Sequence, residues 1–208
     1  MKSALTRVAG SLSIGAALLA AAPVPAQTPA APPAPQFVRG VVTAVTPTSI
    51  SVTSREHKAL VITVTKDWTV SVTKPVTAAE IQPGSFIGTA EMPQKDGAGR
   101  SLEVHVFPPG VKLGEGHYGW DLKKGSMMTN GTVGKVLTNG AGRTIDVSYS
   151  TGTRHIVVPP NTPIVQIVPA DRALIKPGVK VFIAAFPTPA GLVANSVAVG
   201  EAGKAPPM

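Results

Sequence analysis

Three residues near the middle of the chain carry side chains that bind copper in proteins. His117, Met127 and Met128 all lie within the stretch 110–130, and imidazole with thioether ligands is a donor set that suits copper. The spacing is less favourable, because no two of the four histidines are two or four positions apart and adjacent methionines point opposite ways in an extended chain. A copper site at these residues is therefore one hypothesis, and packing of the methionines between two parts of the fold is the other.

The same stretch holds one of the two tyrosines and one of the two tryptophans. We expect Tyr118 and Trp120 to lie against a barrel surface, whereas full exposure of Trp120 would favour contact with a partner. The glycines at 114, 116 and 119 match the dinucleotide fingerprint G-x-G-x-x-G. That fingerprint works between a strand and a helix, and no helical period follows this one, so we interpret it as a glycine-rich loop.

Known catalytic motifs are missing from the sequence. It contains no G-x-S-x-G, no H-E-x-x-H and no cysteine, which favours a non-enzymatic protein and leaves an unrecognised hydrolase as an alternative. Nucleic-acid binding is not expected, because single-strand readers stack bases on aromatic side chains and no strand of this chain alternates two of them.

The first 26 residues have the pattern of a secretory signal. Lys2 and Arg7 precede the apolar run Val8–Ala22, and small residues follow at Val24-Pro25-Ala26. The run is shorter than the roughly 20 apolar residues of a membrane span, and no later segment is longer. We therefore expect a periplasmic or secreted protein with no transmembrane span after signal cleavage. Residues 27–36, QTPAAPPAPQ, read as a Pro/Ala-rich tether.

The formal net charge is +8, with basic residues scattered along the chain. A dispersed positive field favours weak attraction to anionic surfaces. The expected partner is an envelope protein or an anionic envelope polymer, and solubility alone is the alternative explanation of the charge.

Two runs of strand-like segments flank the stretch 110–130 and repeat each other. The clearest match is AEIQPGSFIGTA at 79–90 with ALIKPGVKVFIAA at 173–185, where Ile-X-Pro-Gly precedes a long apolar strand. Alternation predicts inward pairs at Ile50 with Val52 and at Ile145 with Val147. The repeat predicts module 1 at 37–109, a connector at 110–130, module 2 at 131–202 and a tail at 203–208.

Each predicted module has about six short strands and one helical turn in roughly 70 residues, which favours a small closed barrel because closure removes exposed strand edges. The expected fold is therefore all-β, with two tandem small OB-like β-barrels after the signal peptide. We expect each barrel to be formed within its own half of the sequence.

The order of these motifs resembles a bacterial family. G-x-V-x-x-V, a T-I-x-V strand, a V-x-V strand, I-x-P-G and a final V-x-V are similar to the domain of unknown function 5666, an OB-like β module of exported proteins; the likeness covers 37–200 as two copies. GEGHYGWDL, MTNGTV, VVPPNTPIV and the terminal PPM are similar to proteobacterial envelope proteins. The resemblance implies a compartment and a fold, and no activity.

Taken together, the sequence predicts an exported, non-enzymatic β-barrel protein with a binding or accessory role in the periplasm or cell envelope. The first alternative is a copper-binding protein that uses the histidine and methionines of the connector. The second is the hydrolase. No cofactor other than copper is expected.

Overall fold

Alternating valine, isoleucine and threonine side chains build the protein from β-strands. The structure, a computed structural model, describes residues 33–139 and 142–208; the predicted signal segment and residues 27–32 of the tether lie outside that part. Within it there are three short 3₁₀ turns and no α-helix, and hence no helix able to cross a bilayer. The strands are β1 Gln36–Val45, β2 Ser49–Ser54, β3 Ala59–Pro75, β4 Phe86–Pro93, β5 Gly99–Val106, β6 Gly116–Gly119, β7 Met127–Asn139, β8 Gly142–Tyr149, β9 Gly152–Val158, β10 Ile164–Ala170, β11 Lys180–Thr188 and β12 Gly191–Gly200.

Five strands form a closed barrel in the order β1-β2-β3-β12-β11, and β11 returns to pair with β1. All of these pairs are antiparallel except β3 with β12, which is parallel. The barrel core contains the predicted inward pair Ile50 and Val52, together with Val38, Val42 and Ile183. The alternation seen in the sequence therefore identifies correctly the face of β2 that is buried.

A second set of five strands pairs in the same order, β7-β8-β9-β5-β4, and β4 returns to β7. The parallel contact between β5 and β9 is short, because only Gly99 and Arg100 pair with Ile156 and Val157. A second core cluster fills this set and includes the other predicted inward pair, Ile145 and Val147.

Each of the two strand sets takes strands from both halves of the sequence. The first combines β1–β3 with β11 and β12 from the end of the chain, and the second combines β7–β9 with β4 and β5 from its first half. This differs from the predicted arrangement, in which 37–109 and 131–202 each close a barrel of their own. Because a long apolar strand follows Ile-X-Pro-Gly in both halves, this feature does not by itself determine which set the strand completes.

The Ile-X-Pro-Gly turns show this exchange directly. The amide of Gly178 donates to the carbonyl of Val42 at 2.9 Å, and the amide of Gly84 donates to the carbonyl of Val133 at 2.7 Å. Both glycines have positive φ, +91° and +86°, which L side chains rarely adopt. Each turn therefore contacts the first strand of the other half.

Strand β10 joins the two sets. It pairs antiparallel with the second half of β3, where Val72 lies opposite Val168, and parallel with β5, where Val104 lies opposite Ile164. Residues 70–72, which pair with β10, belong to the long strand β3 rather than to a separate short strand. The one helical turn expected in the first module is present as the 3₁₀ turn Ala78–Glu80.

Gly131→Ala is expected to lower the free energy of unfolding by about 1–3 kcal/mol, the usual effect of overpacking. A Cβ at Gly131 would collide with the carbonyl oxygen of Ser148 and lie 2.9 Å from Cγ1 of Val147. Gly134→Ala in the same strand is the matched control, since its Cβ would approach only the Asp146 carbonyl, at 3.7 Å. Urea unfolding of both variants measures the difference, and equal effects would contradict the steric explanation.

Candidate binding cleft

The predicted connector 110–130 contains β-strand structure. Its residues Gly116–Gly119 form β6, which pairs antiparallel with the start of β7, and Met127–Asn130 belong to β7 itself. Through the pairing of β6 with β7, part of the connector lies beside the barrel surfaces. We refer to residues 113–121 as the roof. The roof begins with glycines in the left-handed region at 114 and 116, with φ of +59° and +142°.

The strand register separates the three residues predicted to bind copper. His117 lies opposite Thr129 and Tyr118 lies opposite Met128. Because side chains alternate along a strand, His117 and Met127 share one face of the sheet and Met128 is on the other. The His117 Nδ1 atom forms a hydrogen bond with the Thr129 hydroxyl at 2.8 Å.

The described ranges 33–139 and 142–208 also hold no group of three or more His, Cys, Asp or Glu residues arranged to bind a metal ion. The histidine and both methionines are therefore not brought to one point.

Trp120 lies against the surface of the first barrel. Its ring centroid is 4.1 Å from that of Phe37 on β1 and 6.1 Å from that of Phe182 on β11. Tyr118, the other residue expected to pack, meets Trp120 edge to face at 6.5 Å and is 37% exposed. The rings form an aromatic cluster, defined by Phe37, Tyr118, Trp120 and Phe182.

The aromatic cluster lines a cleft of about 520 Å³ between the outer surfaces of the two strand sets. The first barrel contributes outward residues of β1, β3, β11 and β12, and the opposite wall contains His105 of β5 with Met128 and Asn130 of β7. Ligand sites are usually concave, mostly apolar and 300–1,000 Å³ in volume, and this cleft has those properties.

Asn130 holds the roof over the cleft. Its side-chain amide donates to the carbonyl of Gly114 at 2.9 Å and to the Tyr118 hydroxyl at 2.9 Å. The Tyr118 hydroxyl in turn donates to the carbonyl of Gly114 at 3.2 Å. These bonds satisfy polar groups that would otherwise cost free energy beside an apolar cavity.

An ion pair fixes the other end of the roof. Arg39 on β1 pairs with Asp121 at 2.8 Å, and its guanidinium lies 5.1 Å from the ring centroid of Phe182 and 5.8 Å from that of Trp120. A planar guanidinium can stack on aromatic faces while its edge binds a carboxylate. Arg39 therefore joins the aromatic cluster to the residue that follows Trp120.

A buried acid–base pair forms part of the far wall. Glu103 and His105 on β5 are 1% and 5% exposed, and His105 Nε2 pairs with the Glu103 carboxylate and donates to the carbonyl of Pro207 at 3.2 Å. Burial by itself lowers the pKa of His105, but the charge and hydrogen bond of Glu103 and the Pro207 carbonyl outweigh it, so the pKa is raised. Because the Glu103 carboxylate and the Pro207 carbonyl both accept, Nε2 is the ring nitrogen that carries a hydrogen.

Sequence reasoning identified Trp120 and Tyr118 but did not identify the residues that meet them. Phe37, Arg39 and Phe182 occupy outward positions next to core residues such as Val38 and Ile183. Alternation predicts that such positions face solvent. For Phe37 and Phe182 the only signal was an aromatic side chain at an outward position, and Arg39 had none. Nothing in the pattern showed that β1 and β11 are neighbours.

Comparison of the chain with protein-family models, with curated proteins and with solved structures finds no match. The fold and the cleft therefore rest on the strand pairing and side-chain contacts of the chain itself.

Proposed function

We propose that this protein is an exported, non-enzymatic binding protein of the periplasm or cell envelope, and that its ligand is held in the aromatic cleft. The observation that carries the proposal is the aromatic cluster, in which Phe37, Trp120 and Phe182 meet with centroid separations of 4.1–6.1 Å. Aromatic rings at a cleft supply a large apolar contact area at small conformational cost.

The proposal includes an OB-like fold for both strand sets. Each set pairs its five strands in one order, with a single parallel contact, and OB-like modules are five-stranded Greek-key barrels of this kind. We therefore infer two OB-like barrels that exchange their last two strands within one chain. The resemblance to the domain of unknown function 5666 agrees with such a module and with export.

The polar groups around the cleft support binding rather than catalysis. Glu103 and His105 are buried and paired with each other, and Arg39 is engaged by Asp121. A general acid or base has to reach a proton on the substrate. These groups instead hold the roof and the walls in place. Export is supported by the pattern of the first 26 residues.

Phe182→Ala is expected to weaken binding of the uncharged fluorescent probe N-phenylnaphthylamine by about tenfold, since an aromatic contact contributes up to about 1.5 kcal/mol beyond its buried area. The measurement is a fluorescence titration of the probe against the full-length chain. The matched control is Phe186→Ala, a phenylalanine on the same strand that is exposed and does not line the cleft.

Equal affinities in the two variants, or no probe binding to the parent chain, would refute the cleft as the binding site. Thermal unfolding of both variants checks that each remains folded under the conditions of the titration.

A further inference from the structure

The segment Ala205–Met208 reaches the cleft through Met208, whereas its other three residues line a second cavity. Pro206 and Met208 are buried, and Met208 is 7% exposed. Met208 lines the aromatic cleft and also the second cavity, of about 690 Å³. Met208 is therefore the residue of this segment that borders both cavities.

The protein holds this segment by its main-chain oxygens. His105 donates to the carbonyl of Pro207, and the Arg39 Nε atom donates to the main-chain oxygen of Met208. Proline has no amide hydrogen, so a Pro-Pro segment can be held through its backbone only by donors that meet its carbonyls. Aromatic-lined grooves that bind proline-rich peptides work in this way, by combining apolar pockets with donors to carbonyls.

We propose that the cleft and the adjoining second cavity bind an extended, proline-rich segment of a partner polypeptide, and that residues 205–208 occupy part of this site when the partner is absent. This inference rests on the proposed binding function and names its ligand class. The partner segment takes the place of Pro206–Met208 and continues across the aromatic cluster. Because Met208 borders both cavities, displacement of the segment is expected to connect them into one longer groove.

A donor in the aromatic cluster agrees with this ligand class. The indole Nε1 of Trp120 is buried and has no hydrogen-bond partner among residues 33–139 and 142–208. A buried donor without a partner costs free energy and is rare in native proteins. A carbonyl of the partner segment supplies the acceptor, as His105 and Arg39 already find theirs on residues 205–208.

A proline of the chain also lines the cleft. Pro35, just before β1, is among its lining residues, as is Phe37. The Ala-Pro-Pro of 205–207 also occurs at 31–33 in the Pro/Ala-rich stretch. An extended polyproline II segment advances about 3.1 Å per residue and is ordered at low entropic cost.

The test titrates the pentapeptide KAPPM, which copies residues 204–208, and its control KAAAM into the full-length chain and into Met208→Ala, by calorimetry. KAPPM is expected to bind Met208→Ala about tenfold more tightly than the parent, since a segment that occupies the groove in about 90% of molecules lowers the apparent affinity by that factor. Pro206→Ala is a second variant that weakens the same segment, should Met208→Ala reduce stability.

Trp120→Phe distinguishes recognition of the peptide backbone from apolar contact. It keeps a ring and removes the indole donor, so KAPPM binding is expected to fall about fivefold to tenfold, as for one lost hydrogen bond. Trp120 also belongs to the aromatic cluster, so binding of N-phenylnaphthylamine is measured alongside, and KAPPM binding is expected to fall by the larger factor because only the peptide uses the donor.

Equal affinity for KAPPM and KAAAM would overturn the recognition of proline. If the fluorescent probe binds but KAPPM binds neither Met208→Ala nor Pro206→Ala, this inference is overturned and the proposed function stands. If neither the probe nor KAPPM binds, both the inference and the proposed function are overturned. A sedimentation coefficient that rises with protein concentration would assign the groove to the Pro/Ala-rich stretch of a second copy and overturn the separate partner.

Discussion

Arg154→Ala is expected to lower the free energy of unfolding by about 3–5 kcal/mol, the usual cost of leaving a buried charge without its partner. Arg154 on β9 donates from Nε to Glu91 on β4 at 2.6 Å, and Glu91 is 0% exposed. Its Nη1 atom also donates to the carbonyl of Gly97 at 2.6 Å, in the turn between β4 and β5. One side chain thus connects β9 with both strands of the hairpin.

The position of this ion pair makes the effect large. The second strand set closes between β5 and β9 by only two residue pairs, so Arg154 supplies much of the connection at that edge. Gly99 leaves the space that the carboxylate fills, since a Cβ there would lie 2.8 Å from Oε1 of Glu91. In Arg154→Ala the carboxylate remains enclosed and cannot move into solvent without opening the edge.

Urea unfolding measures the loss, and Arg100→Ala is the control because Arg100 is exposed on β5; it is expected to change stability by less than about 0.5 kcal/mol. The double variant Glu91→Leu with Arg154→Leu removes both charges and is expected to recover a large part of the stability. If Arg154→Ala behaves like Arg100→Ala, the ion pair does not hold this edge.

The buried faces of the strands could be predicted from the sequence because they depend on local alternation. Ile50, Val52, Ile145 and Val147 were expected to point inward and all four are buried. The choice of partner strand could not be predicted in this way. It depends on whether β4 and β5 or β11 and β12 pair with the first strands of a given half. A long apolar strand follows both Pro83-Gly84 and Pro177-Gly178, so its presence alone does not select between the two halves.

The cleft, too, could be predicted from the sequence only in part. Trp120 stood out because it is a rare side chain in a stretch with no predicted strand, and the structure places it against β1 and β11. Its neighbours Phe37 and Phe182 come from strands about 145 residues apart, which pair only because of the exchange. A site formed between exchanged elements cannot be derived from the pattern of either element alone.

The exchange of strands between the two halves of the sequence predicts which strands a core substitution destabilises. Ile81→Ala and Ile175→Ala are each expected to cost about 2–5 kcal/mol, because both side chains are buried and alanine leaves a cavity. Ile81 packs in the core formed with β7–β9, and Ile175 packs in the core formed with β1–β3. Each isoleucine therefore stabilises the strands of the opposite half of the sequence.

Native-state hydrogen exchange locates the effect, because amides exchange faster where the local structure has become less stable. Ile81→Ala is expected to accelerate amide hydrogen exchange more in β7–β9 than in β1–β3. Ile175→Ala is expected to accelerate it more in β1–β3 than in β7–β9. Leu174→Ala is the matched control, since Leu174 is next to Ile175 and exposed. If each variant instead loosened its own half, the two halves would be closed barrels in tandem. The cleft between β1, β11 and the roof would then lose its basis, because Phe37 and Phe182 become neighbours only when β11 completes the first barrel.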